Sequence, residues 1–162
     1  MAETKRDPIE TFTVITHSDK ETIELGQKLG ALLEDGDMVA LVGELGSGKT
    51  WFTKGIALGL GISRKQVITS PSFALVNEYE GEVPFYHMDV YRLGSLSEFL
   101  SAGLEEFLHQ SGIVAMEWAD RWPEILPRKR IKVEFVILDG SRREITLSGQ
   151  HERANKIINS IR

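Results

Sequence analysis

The run Gly43-Glu44-Leu45-Gly46-Ser47-Gly48-Lys49-Thr50 has the residue types and spacing of a phosphate-binding loop, G-x-x-x-x-G-K-[ST]. Gly43, Gly46 and Gly48 allow backbone angles closed to other residues, so successive N–H groups can turn onto an anion. Lys49 brings a compact positive charge for β- and γ-phosphate oxygens, and the Thr50 hydroxyl is a hard oxygen donor of the kind Mg²⁺ accepts. A helix opening at about Lys49 would add unpaired N–H groups and the positive end of its dipole. The ligand these residues fit is a nucleoside triphosphate, contacted by Glu44, Leu45, Gly46, Ser47, Gly48, Lys49 and Thr50.

A triphosphate and its cation also need a carboxylate across from the loop hydroxyl and a group that orients the nucleophile. Two acids have the right setting. Glu117 follows the apolar run Ile113-Val114-Ala115-Met116, and Asp89 closes Val83-Pro84-Phe85-Tyr86-His87-Met88. Both read as residues at strand ends, where ligands of open α/β sheets collect. The assignment that follows is Thr50 and Glu117 on the metal, with Asp89 and Lys49 as the catalytic pair; the sequence does not exclude an exchange of the two acids. His87 lies two residues before Asp89 and so shares its strand face, a position where histidines are more often structural. Trp118, next to Glu117, is placed to wall a nucleotide pocket, whereas Trp122 reads as a covering residue.

These groups need a sheet and helices to hold them. Thr11–Ile15 reads as a strand, and Ser18-Asp19-Lys20-Glu21 is a capping box that should open a helix with an apolar stripe at Ile23, Leu25, Gly26, Leu29, Leu32 and Leu33. Met38–Val42 is a short apolar run of the kind a buried parallel strand needs, and Trp51–Leu58 continues as a helix ended by Gly59 and Gly61. Ser70-Pro71-Ser72-Phe73 is an irregular connection, followed by a hairpin over 74–80 and 83–89. A second capping box, Ser95-Leu96-Ser97-Glu98, starts an interrupted helical region to about His109. Alternation from Ile131 to Ile137, the Asp139-Gly140 turn and Arg143–Leu147 mark another hairpin, with Arg142-Arg143 at its tip. Ala154, Ile157, Ile158 and Ile161 fall on one face of a final helix.

Composition narrows the classes. A chain of 162 residues fits a single sizeable core, expected over residues 11–162 behind a flexible segment 1–10. The net charge of −5 argues against tight autonomous binding to free nucleic acid, which rests on clustered Lys and Arg. With no cysteine, zinc–thiolate sites, disulfides and thiol catalysis are excluded. No apolar leader or spanning run is present, so a cytoplasmic location without a membrane partner is expected.

With these segments in order, the chain resembles the TsaE family (also called YjeE), small bacterial ATPases of tRNA threonylcarbamoyladenosine synthesis. The resemblance rests on the loop 43–50, on Ser70-Pro71-Ser72-Phe73-Ala74-Leu75-Val76-Asn77-Glu78-Tyr79, on His87-Met88-Asp89-Val90-Tyr91-Arg92-Leu93 and on Glu117-Trp118. It implies an α/β fold, a P-loop NTPase-like three-layer α/β/α sandwich with a mixed, partly parallel sheet. It implies ATP and Mg²⁺ as cofactors, with the ion on Thr50 and Glu117 and hydrolysis dependent on Asp89. It implies a switch-like loop at 70–73, where this chain has Ser72 in place of the family's usual threonine. It also brings Ser18 and Arg142 close to the nucleotide base, and names TsaD and TsaB as partners, with tRNA reached only through that complex.

Two other readings use the same loop. A small-molecule kinase would need an acceptor pocket and an arginine-bearing lid, for which only Arg121, Arg128 and Arg130 are at hand. A GTPase-type switch would need an Asn-Lys-x-Asp base reader, whereas the chain's Asn155-Lys156 is followed by Ile157-Ile158.

Overall fold

The computed structural model describes residues 8–71 and 73–162. Residues 1–7 of the expected flexible segment and Ser72 of the switch-like loop lie outside these described residues, while Glu10 already opens the first strand. In chain order the elements are β1 (Glu10–Thr16), α1 (Asp19–Gly30), β2 (Met38–Gly43), α2 (Lys49–Gly59), β3 (Val76–Tyr79), β4 (Phe85–Asp89), α3 (Leu96–Ser101), α4 (Glu105–His109), β5 (Ile113–Glu117), β6 (Arg130–Ile137), β7 (Arg143–Gly149) and α5 (Glu152–Ile161). Between β5 and β6 the chain makes two short 3₁₀ turns, Ala119–Arg121 and Pro123–Ile125.

The strands form one sheet in the order β1-β7-β6-β2-β5-β4-β3. Its centre is parallel, with β2 pairing β6 on one side and β5 on the other, and β5 pairing β4. The margins are antiparallel, β1 and β6 on β7 and β3 on β4. The sheet is therefore mixed, with helices on both faces, the three-layer α/β class the resemblance implied. Parallel strands buried on both faces need continuous apolar runs, as β2 and β5 have.

Strand alternation sorts side chains between the layers. Val39, Leu41, Phe85, Ile113, Ala115, Ile131 and Val133 pack with Leu25, Leu29, Phe52, Ile56, Ile157 and Ile158 of α1, α2 and α5. Their strand neighbours Met38, Ala40, Tyr86, Met88, Val114 and Met116 face the other way, against Phe99, Leu104 and Leu108 from the α3–α4 region. His87 and Asp89 stand two and four residues beyond Phe85, and Glu117 two beyond Ala115, so the same period of two carries all three to the α2 side.

α1 is capped at Ser18 as expected, its hydroxyl accepting from Glu21 N–H at 3.1 Å, while the Glu21 carboxylate accepts from His17 N–H at 2.6 Å, one residue before the N–H a capping box uses. α1 and α2 meet backbone to backbone. A Cβ on Gly30 would lie 2.3 Å from Ile56 O, and one on Gly55 would lie 2.1 Å from Ile23 O. No side chain fits either place, and the phosphate-loop helix is seated directly on α1.

Candidate nucleotide and metal site

β2 ends at Gly43 and α2 begins at Lys49, so the loop between them lies at the C-terminal edge of the parallel strands. Gly46 and Gly48 have φ of 77° and 105°, the left-handed region that glycine tolerates. Gly48 is the N-cap of α2 and offers no side chain to the helix's first N–H groups, and no acid sits in the first turn. Those donors are left for an anion. A Cβ on Gly43 would come within 2.6 Å of Ser47 Oγ. That hydroxyl is buried and has no hydrogen-bond partner among the described residues, a polar atom turned into the loop with nothing to bond. Unpaired donors around a glycine cradle fit phosphate oxygens.

Lys49 is held inside this loop. Its ammonium donates to Gly43 O at 2.6 Å and to Glu44 O at 2.9 Å, and sits 4.1 Å from the centre of the Trp118 ring. Burial pushes its pKa below the ordinary lysine value, an effect the carboxylates of Glu117, Asp89 and Asp120 partly oppose. Trp118 reaches that position through a left-handed backbone, φ 63°, which costs a non-glycine residue roughly 1–2 kcal/mol. Tyr91 supports the ring from behind, with centroids 4.8 Å apart.

Asp89 and Glu117 are register partners on β4 and β5. Thr50 Oγ1 donates to Glu117 Oε1 at 3.2 Å, and His87 Nε2 lies 2.6 Å from Glu117 Oε2. Asp89 accepts from the Ser70 hydroxyl at 2.6 Å through Oδ2 and from Tyr91 N–H at 2.9 Å through Oδ1. The oxygen pair Thr50–Glu117 is the hard donor set Mg²⁺ takes, and no cluster of three or more His, Cys, Asp or Glu forms a self-contained metal cage among the described residues. Mg²⁺ commonly borrows the rest of its shell from phosphates and water, which suits so sparse a site.

The remaining expected contacts divide. Glu44, Leu45 and Gly46 form the exposed rim of the loop, with Leu45 largely presented to solvent. Ser18 serves as the α1 cap; Thr22, one turn further on, would lie 3.6 Å from a Cβ on Gly48, so this end of α1 adjoins the loop. Arg142 is occupied by Asp139, at 2.6 Å, whereas its neighbour Arg143 donates to Gly46 O at 3.2 Å. The hairpin therefore touches the loop through Arg143, a residue the sequence placed at the hairpin tip without assigning it a contact. His87 on Glu117 and Ser70 on Asp89 were also missed as pairs, although the shared strand face of His87 and Asp89 was visible.

Most of the groups the two competing readings would require have other partners. Arg121 bonds Val90 O and Tyr91 O, and Arg130 bonds Pro127 O. Asn155 is buried in α5, donating to Pro8 O, and Lys156 pairs with Glu152.

Sheet order, loop and helix define an α/β fold of the P-loop NTPase-like class. Comparison with known proteins narrows this further. The family model described as threonylcarbamoyl adenosine biosynthesis protein TsaE matches residues 16–145, and the chain belongs to the TsaE family. It is 42% identical over 134 residues to the tRNA threonylcarbamoyladenosine biosynthesis protein TsaE of Treponema pallidum, covering 83% of this chain and 98% of that one. The Bacillus subtilis protein of the same name is 41% identical over 139 residues, 85% of each chain. The Haemophilus influenzae one is 31% identical over 159 residues, 94% of this chain and 98% of that one. In structure, the chain resembles Bacillus subtilis YdiB with a TM-score of 0.80 at 33% identity over 95% of both chains. No helix among the described residues is long and apolar enough to cross a membrane.

Proposed function

We propose that this protein binds ATP with Mg²⁺ and hydrolyses it to ADP and phosphate, in the service of tRNA threonylcarbamoyladenosine biosynthesis. The observation that carries the reading is the contact between the Thr50 hydroxyl and the Glu117 carboxylate, 3.2 Å apart beside a phosphate-type loop with an orphaned buried hydroxyl.

In this reading the N–H groups of the loop and of the first turn of α2 receive the phosphate oxygens, and Ser47 Oγ gains the partner it lacks. Lys49, whose ammonium lies against the Trp118 ring, exchanges its two carbonyl partners for β- and γ-oxygens. Thr50 and Glu117 would hold Mg²⁺, which when bound screens phosphate charge. Asp89 holds the attacking water in line with the γ-phosphorus. The water oxygen bonds phosphorus, the bond to the β–γ bridging oxygen breaks onto ADP, and the water's proton passes to Asp89 Oδ or a phosphate oxygen. Both Asp89 oxygens have donors in this structure, so Ser70 must share or leave Oδ2 for the water to dock.

Membership of the TsaE family supports the biosynthetic setting, with TsaD and TsaB as partners and tRNA approached through them in the cytoplasm. Hydrolysis then resets the assembly and donates no group to tRNA. The test is release of phosphate from ATP by the purified protein, with and without EDTA and with and without TsaD–TsaB. Magnesium-dependent turnover that responds to the partners is expected; absence of ATP binding in Mg²⁺ would overturn the reading.

A further inference from the structure

His87 has no exposure at all, yet it packs with one nitrogen committed and the other idle. Nε2 lies 2.6 Å from Glu117 Oε2, while Nδ1 has no hydrogen-bond partner among the described residues. An ionised carboxylate only accepts, so the imidazole donates through Nε2. Buried polar atoms are usually hydrogen-bonded; here the imidazole's single polar tie is to one oxygen of a buried acid.

The register explains how the tie forms. His87 pairs across the ladder with Ala115, and Glu117 lies one same-face step further along β5. Ala115 presents only a methyl group opposite His87, and the imidazole reaches Glu117 Oε2 at 2.6 Å. Glu117 is thereby held at Oε2; the Thr50 hydroxyl lies 3.2 Å from Oε1 and 3.4 Å from Oε2, so Oε1 is the oxygen the imidazole leaves open. A free glutamate carboxylate can rotate about three side-chain torsions; this one has its orientation set from behind.

Resting on the reading of Thr50 and Glu117 as the magnesium pair, we infer that His87 is a positioning residue that fixes the Glu117 carboxylate, presenting Oε1 to the cation. It touches neither nucleotide nor ion. Hydrogen-bond partners behind a metal ligand commonly set about 10–100-fold of metal affinity when they are removed.

Two substitutions separate this role from packing. In His87→Gln the amide nitrogen takes the place of Nε2, and in His87→Asn it takes the place of Nδ1, too short to reach Glu117. Binding of a fluorescent ATP analogue is titrated with Mg²⁺ for the full chain, both variants and Glu117→Gln, with metal-free affinity and the thermal midpoint measured alongside. His87→Asn should need roughly 10–100-fold more Mg²⁺ for the same binding, with metal-free affinity unchanged. His87→Gln should stay close to the parent protein. An unaltered magnesium requirement in His87→Asn, an equal loss in both variants, or failure of both to fold overturns the inference. If the parent itself binds the analogue without regard to Mg²⁺, and Glu117→Gln changes nothing, the magnesium reading of the site falls first.

Discussion

Asp89 and Glu117 stand opposite one another in the β4–β5 ladder, but their carboxylates have entirely separate donors. Glu117 is bonded by Thr50 and His87, Asp89 by Ser70 and the Tyr91 N–H. Two acids that share no hydrogen-bond donor can take different tasks, one toward the cation and one toward solvent.

That separation predicts separable phenotypes. Asp89→Asn should leave nucleotide affinity nearly intact and lower kcat by about 10²–10⁴-fold, the usual weight of a positioned general base. Glu117→Gln should instead abolish the magnesium-dependent part of nucleotide binding. Parallel titrations and phosphate-release assays on the two variants decide the matter; loss of the same parameter in both would merge their roles.

Lys49→Ala removes an ammonium already lodged in the loop, 2.6 and 2.9 Å from Gly43 O and Glu44 O. Hydrogen bonds to a charged group contribute about 1.5–3 kcal/mol, so triphosphate affinity should fall by roughly 10–150-fold. Calorimetry with ATP is the measurement, and ADP should lose less because it lacks the γ-oxygens.

The hairpin tip yields a prediction with a pH signature. The Arg142 guanidinium first, then the Arg142 and Ser141 N–H groups, hold the Asp139 carboxyl well below the ordinary carboxylate range. Because the folded value lies below the unfolded 3.8, any stabilisation is complete above 3.8 and is lost as pH falls below it. NMR titration of the Asp139 carboxyl should show a midpoint well below 3.8 that rises in Arg142→Ala. In the same experiment nucleotide affinity should respond to Arg143→Ala and not to Arg142→Ala, since only Arg143 bonds Gly46 O.

Gly55→Ala should cost stability out of proportion to one methyl group, because that carbon would sit 2.1 Å from Ile23 O. Forced insertion into close packing costs about 1–3 kcal/mol and more where backbone must move. Gly140→Ala, with open space around the position, should change the unfolding free energy from denaturant titration by about 0.5 kcal/mol or less. Equal effects would mean the helices can part freely.

Much of this was readable from the chain because it is local. Contiguous glycines, lysine and threonine announce the loop; Ser18 and Glu21 announce α1; Glu117 follows four apolar residues as a strand-end acid does. What stayed hidden depends on which strands are neighbours. Nothing near His87 in the sequence names Glu117, thirty residues away, until β4 is laid beside β5. Ser70 and Asp89 meet because a loop returns over the strand end, with Leu75 N bonded to Pro71 O and Asp89 N bonded to Leu75 O. Arg142 and Arg143 are adjacent and chemically alike, so only the turn geometry could say which one Asp139 would take. The glycines of α1 and α2 did carry a signal, recurring four apart as Gly26 and Gly30 and as Gly55 and Gly59, but Gly26 was read as part of a stripe, Gly59 as a terminus, and the spacing itself not as a contact.

Main chain resting on main chain leaves no compliant layer of side chains between α1 and α2. The wall of the cleft built on them therefore acts as an anvil, unable to slide or cushion when a ligand arrives. Whatever displacement accompanies a turnover is left to the facing wall, where Ser70 hangs from Asp89 by a single bond that an incoming solvent molecule can replace.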